Sequence, residues 1–260
     1  MSLIHKIAIV TGAAEGIGRG IALALAEAGA ALAVCDRDAG LLEETRQLIA
    51  SRDRPCFAMA FDLRDIIALQ GFVDAAGTAF GGIDILVNNA AVMPASRLDT
   101  LSDDTVDLVL QINLKAPILL TRAVLPWMSK RGGGSIIHMA SVTAHLGFPD
   151  VAVYGATKGA LLSLARGHAI ELAPQGIRVN SVSPGTVDSP MLHRFVQEHA
   201  ADPLAALRAF DSIHPRGKVA SIAEVAAVFT FLASDAAANI TGTDIRCDGG
   251  FCVLGRQPTN

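Results

Sequence analysis

A chain of 260 residues, 51% hydrophobic and 18% charged, can bury a sizeable core and is short enough to be one α/β domain. Its formal charge of −4, with no basic stripe, argues against nucleic acid and anionic membranes as partners. No apolar run approaches a bilayer span and Met1 leads into a strand without a cleavable leader, so a cytoplasmic protein is expected. Cys35, Cys56, Cys247 and Cys252 show no paired spacing; they are expected as reduced thiols, and no metal is assigned.

The first predicted strand, Lys6–Val10, runs into Thr11-Gly-Ala-Ala-Glu-Gly-Ile-Gly18 and an Ala/Leu helix to Ala28, closed by Gly29. Strand, glycine turn and helix in this order present free helix N-terminal amides on which a diphosphate can rest. Gly12 permits the tight exit, Gly16 the approach of the diphosphate, and Gly18 the packing of helix on strand. The second strand, Ala31–Cys35, ends at Asp36, where a carboxylate accepts hydrogen bonds from ribose hydroxyls and repels a 2′-phosphate. Arg37 would favour that phosphate and Asp38 oppose it, so NAD is expected ahead of NADP.

A helix over about Leu41–Ala50, a strand Cys56–Ala60, a helix Ile66–Phe80 stopped by Gly81-Gly82, and a strand Ile83–Val87 continue the alternation. Between them Asp62 precedes Leu63, and on residue grounds alone Asp62 reads equally well as a helix cap. After Asn88-Asn-Ala-Ala91, a long helix of about Asp103–Lys130, N-capped by Ser102, contains Pro117. The proline cannot bond the carbonyl of Asn113, so a kink is expected there, leaving that carbonyl free to hold a water.

The apolar strand Ser135–Ala140 delivers Ser141 at its carboxyl end, and past Pro149 a helix of about Val151–Ala173 puts Tyr154 and Lys158 on one face. A phenol ionises near pH 10. An ammonium about 4 Å away would favour the phenolate by roughly 4 kcal/mol at an effective dielectric near 20, bringing it within reach of a base's work. The strand Gly176–Val182, a helix Ser221–Ala233 and a last strand Asp244–Asp248 complete the alternation. Met191–Gly217 shows no sheet strand and reads as a mobile lid, about 189–217 with its lead-in. The whole predicts one domain, 1–260: a single-domain Rossmann fold whose doubly wound, seven-stranded parallel sheet has helices on both faces.

Ser141, Tyr154 and Lys158 in this order, Asn113 upstream, the G-x-x-x-G-x-G turn, Asn88-Asn-Ala, Pro184-Gly185 and the ending Thr241–Gly250 together resemble the short-chain dehydrogenase/reductase family, over roughly residues 5–252. Ala91 stands where that family usually has glycine, and Ser189 where threonine is usual. The resemblance implies Tyr154 as base, Lys158 beside it on the nicotinamide ribose, Ser141 on the substrate oxygen, and Asn113 supporting a water chain from the lysine. It implies cofactor contacts from Gly12, Glu15, Gly16, Ile17 and Gly18, from Asp36 and Arg37 at the ribose, from the Asp62 side chain and Leu63 backbone at the adenine, and from Asn89 and Ala90. Tyr154 and Lys158 join these, with Pro184 and Gly185 beneath the nicotinamide and Val187 and Ser189 beyond it. Met93, Ser141, Thr143, His145, Phe148 and Met191 are expected to shape the substrate pocket, with His145 and His193 as polar pocket or surface groups rather than a second acid.

The activity so implied is NAD-dependent hydride transfer between a nicotinamide and a secondary alcohol or ketone, or a sugar hemiacetal and its lactone, with a loose likeness to sugar and polyol dehydrogenases in the lid. Alternatives are a 3-ketoacyl thioester reductase using NADPH, which Asp36 opposes, and a non-catalytic dinucleotide-binding regulator, which four filled catalytic positions oppose. The small, apolar residues of the helices 103–130 and 151–173 suit packing against a second copy, so a homodimer or homotetramer is expected.

Overall fold

Strands buried on both faces need apolar residues at every position, and that is the composition of β1 (Ile7–Thr11), whose five residues are all buried. In the computed structural model, which describes residues 1–254, the chain continues through α1 (Gly16–Glu27), β2 (Ala31–Asp36), α2 (Ala39–Ala50), β3 (Cys56–Ala60), α3 (Ile66–Phe80) and β4 (Ile85–Asn88). After α4 (Asp103–Leu110) a single π turn, Gln111–Lys115, leads into α5 (Ala116–Arg131), β5 (Gly134–Met139), α6 (Ala152–Leu172) and β6 (Ile177–Pro184). Then come β7 (Val187–Asp188), α7 (Pro190–His199), α8 (Pro203–Ser212), β8 (Ala220–Ser221), α9 (Ile222–Ala233) and β9 (Asp244–Cys247).

Seven parallel strands pair in the order β3-β2-β1-β4-β5-β6-β9, as expected of the doubly wound sheet. The order reverses beside β1, and a crevice at the carboxyl ends of β1 and β4 is where such sheets bind ligands. One core lies between the sheet and α1, α2 and α9, through Val10, Val34, Ile21, Leu25, Leu42 and Phe229. The other lies under α3, α5 and α6, through Ile9, Leu86, Ile136, Phe72, Leu120 and Val179.

Polar caps set several helix starts. Asp38 accepts from the Leu41 amide at 2.9 Å, so α2 begins two residues before the expected Leu41 and this carboxylate is a cap as well as a local charge. Asp65, not Asp62, caps α3, accepting from the amides of Ile67 and Ala68. The kink expected at Pro117 takes the form of the π turn immediately before it, one extra residue wound into the helix. Pro126 also lies inside α5, a second proline the sequence reading passed over.

From Asp103 to Arg131 the helix runs 29 residues and is, by length and composition, apolar enough to cross a membrane; counting unbroken apolar runs had missed this. Half of its most apolar stretch is buried, α5 packing against α3, β4 and β5, which accounts for its composition. The lid segment holds no sheet strand, as expected; it holds two helices, and the residues flanking it pair as a two-stranded parallel ladder, Val187 with Ala220 and Asp188 with Ser221.

Candidate active site

The glycine turn is held shut from below. Thr11 Oγ1, at the last position of β1, accepts the amides of Asn89 and Ala90 at 3.1 Å each, and Asn89 Nδ2 donates to the carbonyls of Thr11 and Gly12. A Cβ on Gly12, which has φ +66°, would stand 2.8 Å from the Ala90 Cα; one on Gly18 would stand 1.9 Å from the Gly12 carbonyl oxygen. Glu15 and Gly16 open α1 with no side-chain cap, so its first amides face the crevice, and Ile17 packs against the core beneath. Such a cradle fits a dinucleotide's diphosphate: backbone donors, a helix N-terminus, and no side chain that space would admit.

At the end of β2 both oxygens of Asp36 are turned to backbone, Oδ2 to the Ala14 amide at 3.0 Å and Oδ1 to Arg37 and Asp38 at 2.7 and 3.2 Å. The carboxylate is thereby fixed beside the glycine turn, where a ribose would lie. Asp62 is chelated by Arg64, through contacts of 2.6 to 3.0 Å, and the guanidinium holds its carboxyl below the usual range. Arg37 faces the same group closely enough to add to that lowering. Leu63 lies partly buried against the core.

The second half of the site gathers over β5 and α6. Ser141 accepts from the Thr143 amide at 3.1 Å, and its hydroxyl stands near enough the Tyr154 phenol to pull that group's pKa down. One helical turn on, Lys158 is 1% exposed, donates to the Met139 carbonyl at 2.6 Å, and stands 5.3 Å from the centre of the Tyr154 ring. Burial pushes the phenol up to about 12, against the pull of Ser141, and pushes the ammonium down to about 7. The expected depression of the phenol by the lysine is therefore outweighed, because protein crowds the partly exposed phenol and the buried amine is spent on a carbonyl.

Asn113, placed by the π turn, clamps the loop after Asn89: its Oδ1 accepts the Val92 amide and its Nδ2 donates to the Val92 carbonyl, both at 2.8 Å. Thr157 on α6 sits 3.4 Å from the same Nδ2. Through Thr157, Asn113 meets α6, the helix that also carries Tyr154 and Lys158, while Ser141 stands at the end of β5. Thr11 and Thr157 were missed in the sequence, although a hydroxyl closing a buried strand just before a glycine turn is a signal that could have found the first.

The pocket residues divide. Thr143 is partly buried with its Oγ1 lacking a partner, while Met93 and Phe148 are partly buried and Met191 is 41% exposed. His145 is engaged elsewhere, its Nε2 lying 2.9 Å from Asp244 and 3.2 Å from Ser183. His193 pairs with Asp188 at 2.8 Å. Ser189 caps α7, Val187 is buried in β7, and the Gly185 amide donates to the Cys247 carbonyl below Pro184.

Comparison with known proteins agrees with this arrangement. Residues 12–252 match the family model described as enoyl-(acyl carrier protein) reductase. The chain is 37% identical over 250 residues to the oxidoreductase UcpA of Salmonella typhimurium, covering 95% of each. It is also 37% identical over 248 residues to the D-threitol dehydrogenase of Mycolicibacterium smegmatis, covering 95% of this chain and 93% of that one. The crystal structure of carveol dehydrogenase from Mycobacterium avium in complex with NAD matches with a TM-score of 0.91 at 28% identity, over 97% of this chain and 99% of that one.

Proposed function

The chain belongs to the short-chain dehydrogenase/reductase family and is an NAD(P)-dependent oxidoreductase acting on CH–OH groups, and within that activity we propose that it uses NAD to interconvert a secondary alcohol, a sugar or polyol among them, with its ketone. The observation that carries the reading is Tyr154 held between the Ser141 hydroxyl and Lys158 one turn along α6, above the end of β5. Asp36, fixed at the end of β2 with its charge toward the glycine turn, supports NAD over NADP. The D-threitol dehydrogenase relative supports a polyol.

When bound, the dinucleotide supplies the acceptor for hydride. The protein's own residues manage the proton. Ser141 holds the substrate oxygen, and Tyr154, as it gives its own phenolic proton toward the neutral amine of Lys158, takes the hydroxyl proton while the carbon-bound hydrogen leaves with its electron pair. Lys158, brought to about 7 by burial, changes charge near neutral pH and so can hand that proton onward. Asn113 keeps Val92 and the loop beside Ala90 from drifting into the space the ribose needs.

The test is Tyr154→Phe. Turnover of an alcohol and polyol panel should fall roughly thousandfold or more, while NADH binding, read by fluorescence, stays within about twofold because the glycine turn is untouched. Wild-type activity in that variant overturns the mechanism. Reduction of a 3-ketoacyl or enoyl thioester with NADPH, without oxidation of any alcohol, overturns the substrate class and dinucleotide.

A further inference from the structure

Between Ala201 and Val219 the lid buries a single side chain. The helix α8 buries none of its ten residues, whereas His214, two residues beyond it, is 4% exposed. Its imidazole is bonded at both nitrogens: Nδ1 lies 2.7 Å from the Phe210 carbonyl on α8, and the Thr186 amide points at Nε2 from 3.3 Å. A carbonyl can only accept and an amide only donate, so the ring is neutral, with its proton on Nδ1. One face of the ring stacks on Phe251 with centroids 5.0 Å apart, and Phe251 stacks in turn on Phe148 at 6.2 Å.

The partner of Nε2 belongs to the turn that follows β6. There the Gly185 amide donates to the Cys247 carbonyl and the Thr186 carbonyl accepts from Ala220, both part of the sheet-bound frame. Only the Thr186 amide reaches out to the lid, and the fit is close, since a Cβ on Gly185 would stand 3.1 Å from His214 Nε2.

We infer that His214 is a positioning residue: it fixes the Gly185–Thr186 turn from the lid side, so that the lid and the turn expected beneath the nicotinamide hold their places together. This rests on the reading that the turn faces the nicotinamide. His214 does not touch the reacting atoms; it acts through the Thr186 amide and through α8, which it joins to the frame beside the bond from the Val219 amide to Asp211.

Two substitutions separate this role from packing. His214→Phe keeps a stacking ring and removes both hydrogen bonds; His214→Gln places an amide oxygen where Nε2 was and can accept from Thr186 again. NADH binding to purified wild type is measured first by fluorescence, because absence of binding there defeats the dinucleotide reading itself. With wild type binding, His214→Phe should weaken NADH about fivefold, the worth of one hydrogen bond beside the ligand, and speed hydrogen exchange of the α8 amides. His214→Gln should restore affinity to within about twofold of wild type. Unchanged affinity in His214→Phe overturns the inference, and so does equal weakening in both variants, which would leave the ring a packing role only.

Discussion

The helix α6 and the lid helices α7 and α8 are built on opposite terms. α6 buries Thr157, Lys158, Leu161, Leu162, Ala165, Ala169 and Leu172 against the sheet, so Tyr154 rides on an element that cannot shift without opening a core. α7 buries Leu192 and Val196, α8 buries nothing, and polar contacts such as Arg194 on Glu15 and His214 on Thr186 tie them down. The contrast teaches where precision is kept: the groups proposed to exchange protons stand on packed secondary structure, and the segment proposed as a lid is fastened by bonds that can be made and broken singly.

That contrast can be broken most forcefully on the frame. Gly18→Ala puts a methyl 1.9 Å from the Gly12 carbonyl and 2.4 Å from Asn89 Nδ2, neither of which has room to retreat. Stability should fall by about 3 kcal/mol, with NADH binding lost, both readable by urea unfolding and fluorescence; a variant as stable as wild type would mean the frame is softer than its packing says.

A pH-dependent effect should come from His138, buried on β5 with Nδ1 3.1 Å from Asn88 Nδ2. Burial first, then His168 and Lys158, push its imidazole from the ordinary 6.5 down to about 3. The unfolded chain therefore takes up a proton that the folded one refuses, and stability should fall as pH drops from about 6.5 toward 3. His138→Asn removes that titration while keeping a polar partner for Asn88. Its urea midpoint should change less with acid than the wild type's, by the equivalent of about 4 kcal/mol across that window, and parallel curves would acquit the histidine.

The smallest effect belongs to the lid. Arg194 grips Glu15 through both guanidinium nitrogens, at 2.5 and 3.1 Å, yet its side chain is 53% exposed. Arg194→Ala should therefore cost less than about 1 kcal/mol, and less still in high salt. A loss as large as that of Gly18→Ala would erase the distinction between frame and lid.

Much of the frame was legible because its causes are local. Alternating apolar runs and glycines gave the strands and crossovers, and Tyr154 and Lys158 met because helical spacing alone puts them together. The lid was not, since its contacts join residues far apart: Arg194 to Glu15, His214 to Thr186, and His145 to Asp244 rather than to the cleft. The tyrosine's acidity was misjudged for a related reason. Proximity of a cation can be read from spacing, but the water both groups lose depends on everything packed around them.

The π turn at Gln111–Lys115 leaves a constraint on how this chain can change length. One added residue rotates everything after it by about 100° about the helix axis, so the rod keeps two phases. The turns before it bury Val109, the π turn itself aims Asn113 at Val92, and the turns after it bury Leu120 and Val124 in the core. Deleting a residue there would straighten the rod and misdirect one half or the other. Related chains free to vary elsewhere should keep the count between Asn113 and Leu120 fixed.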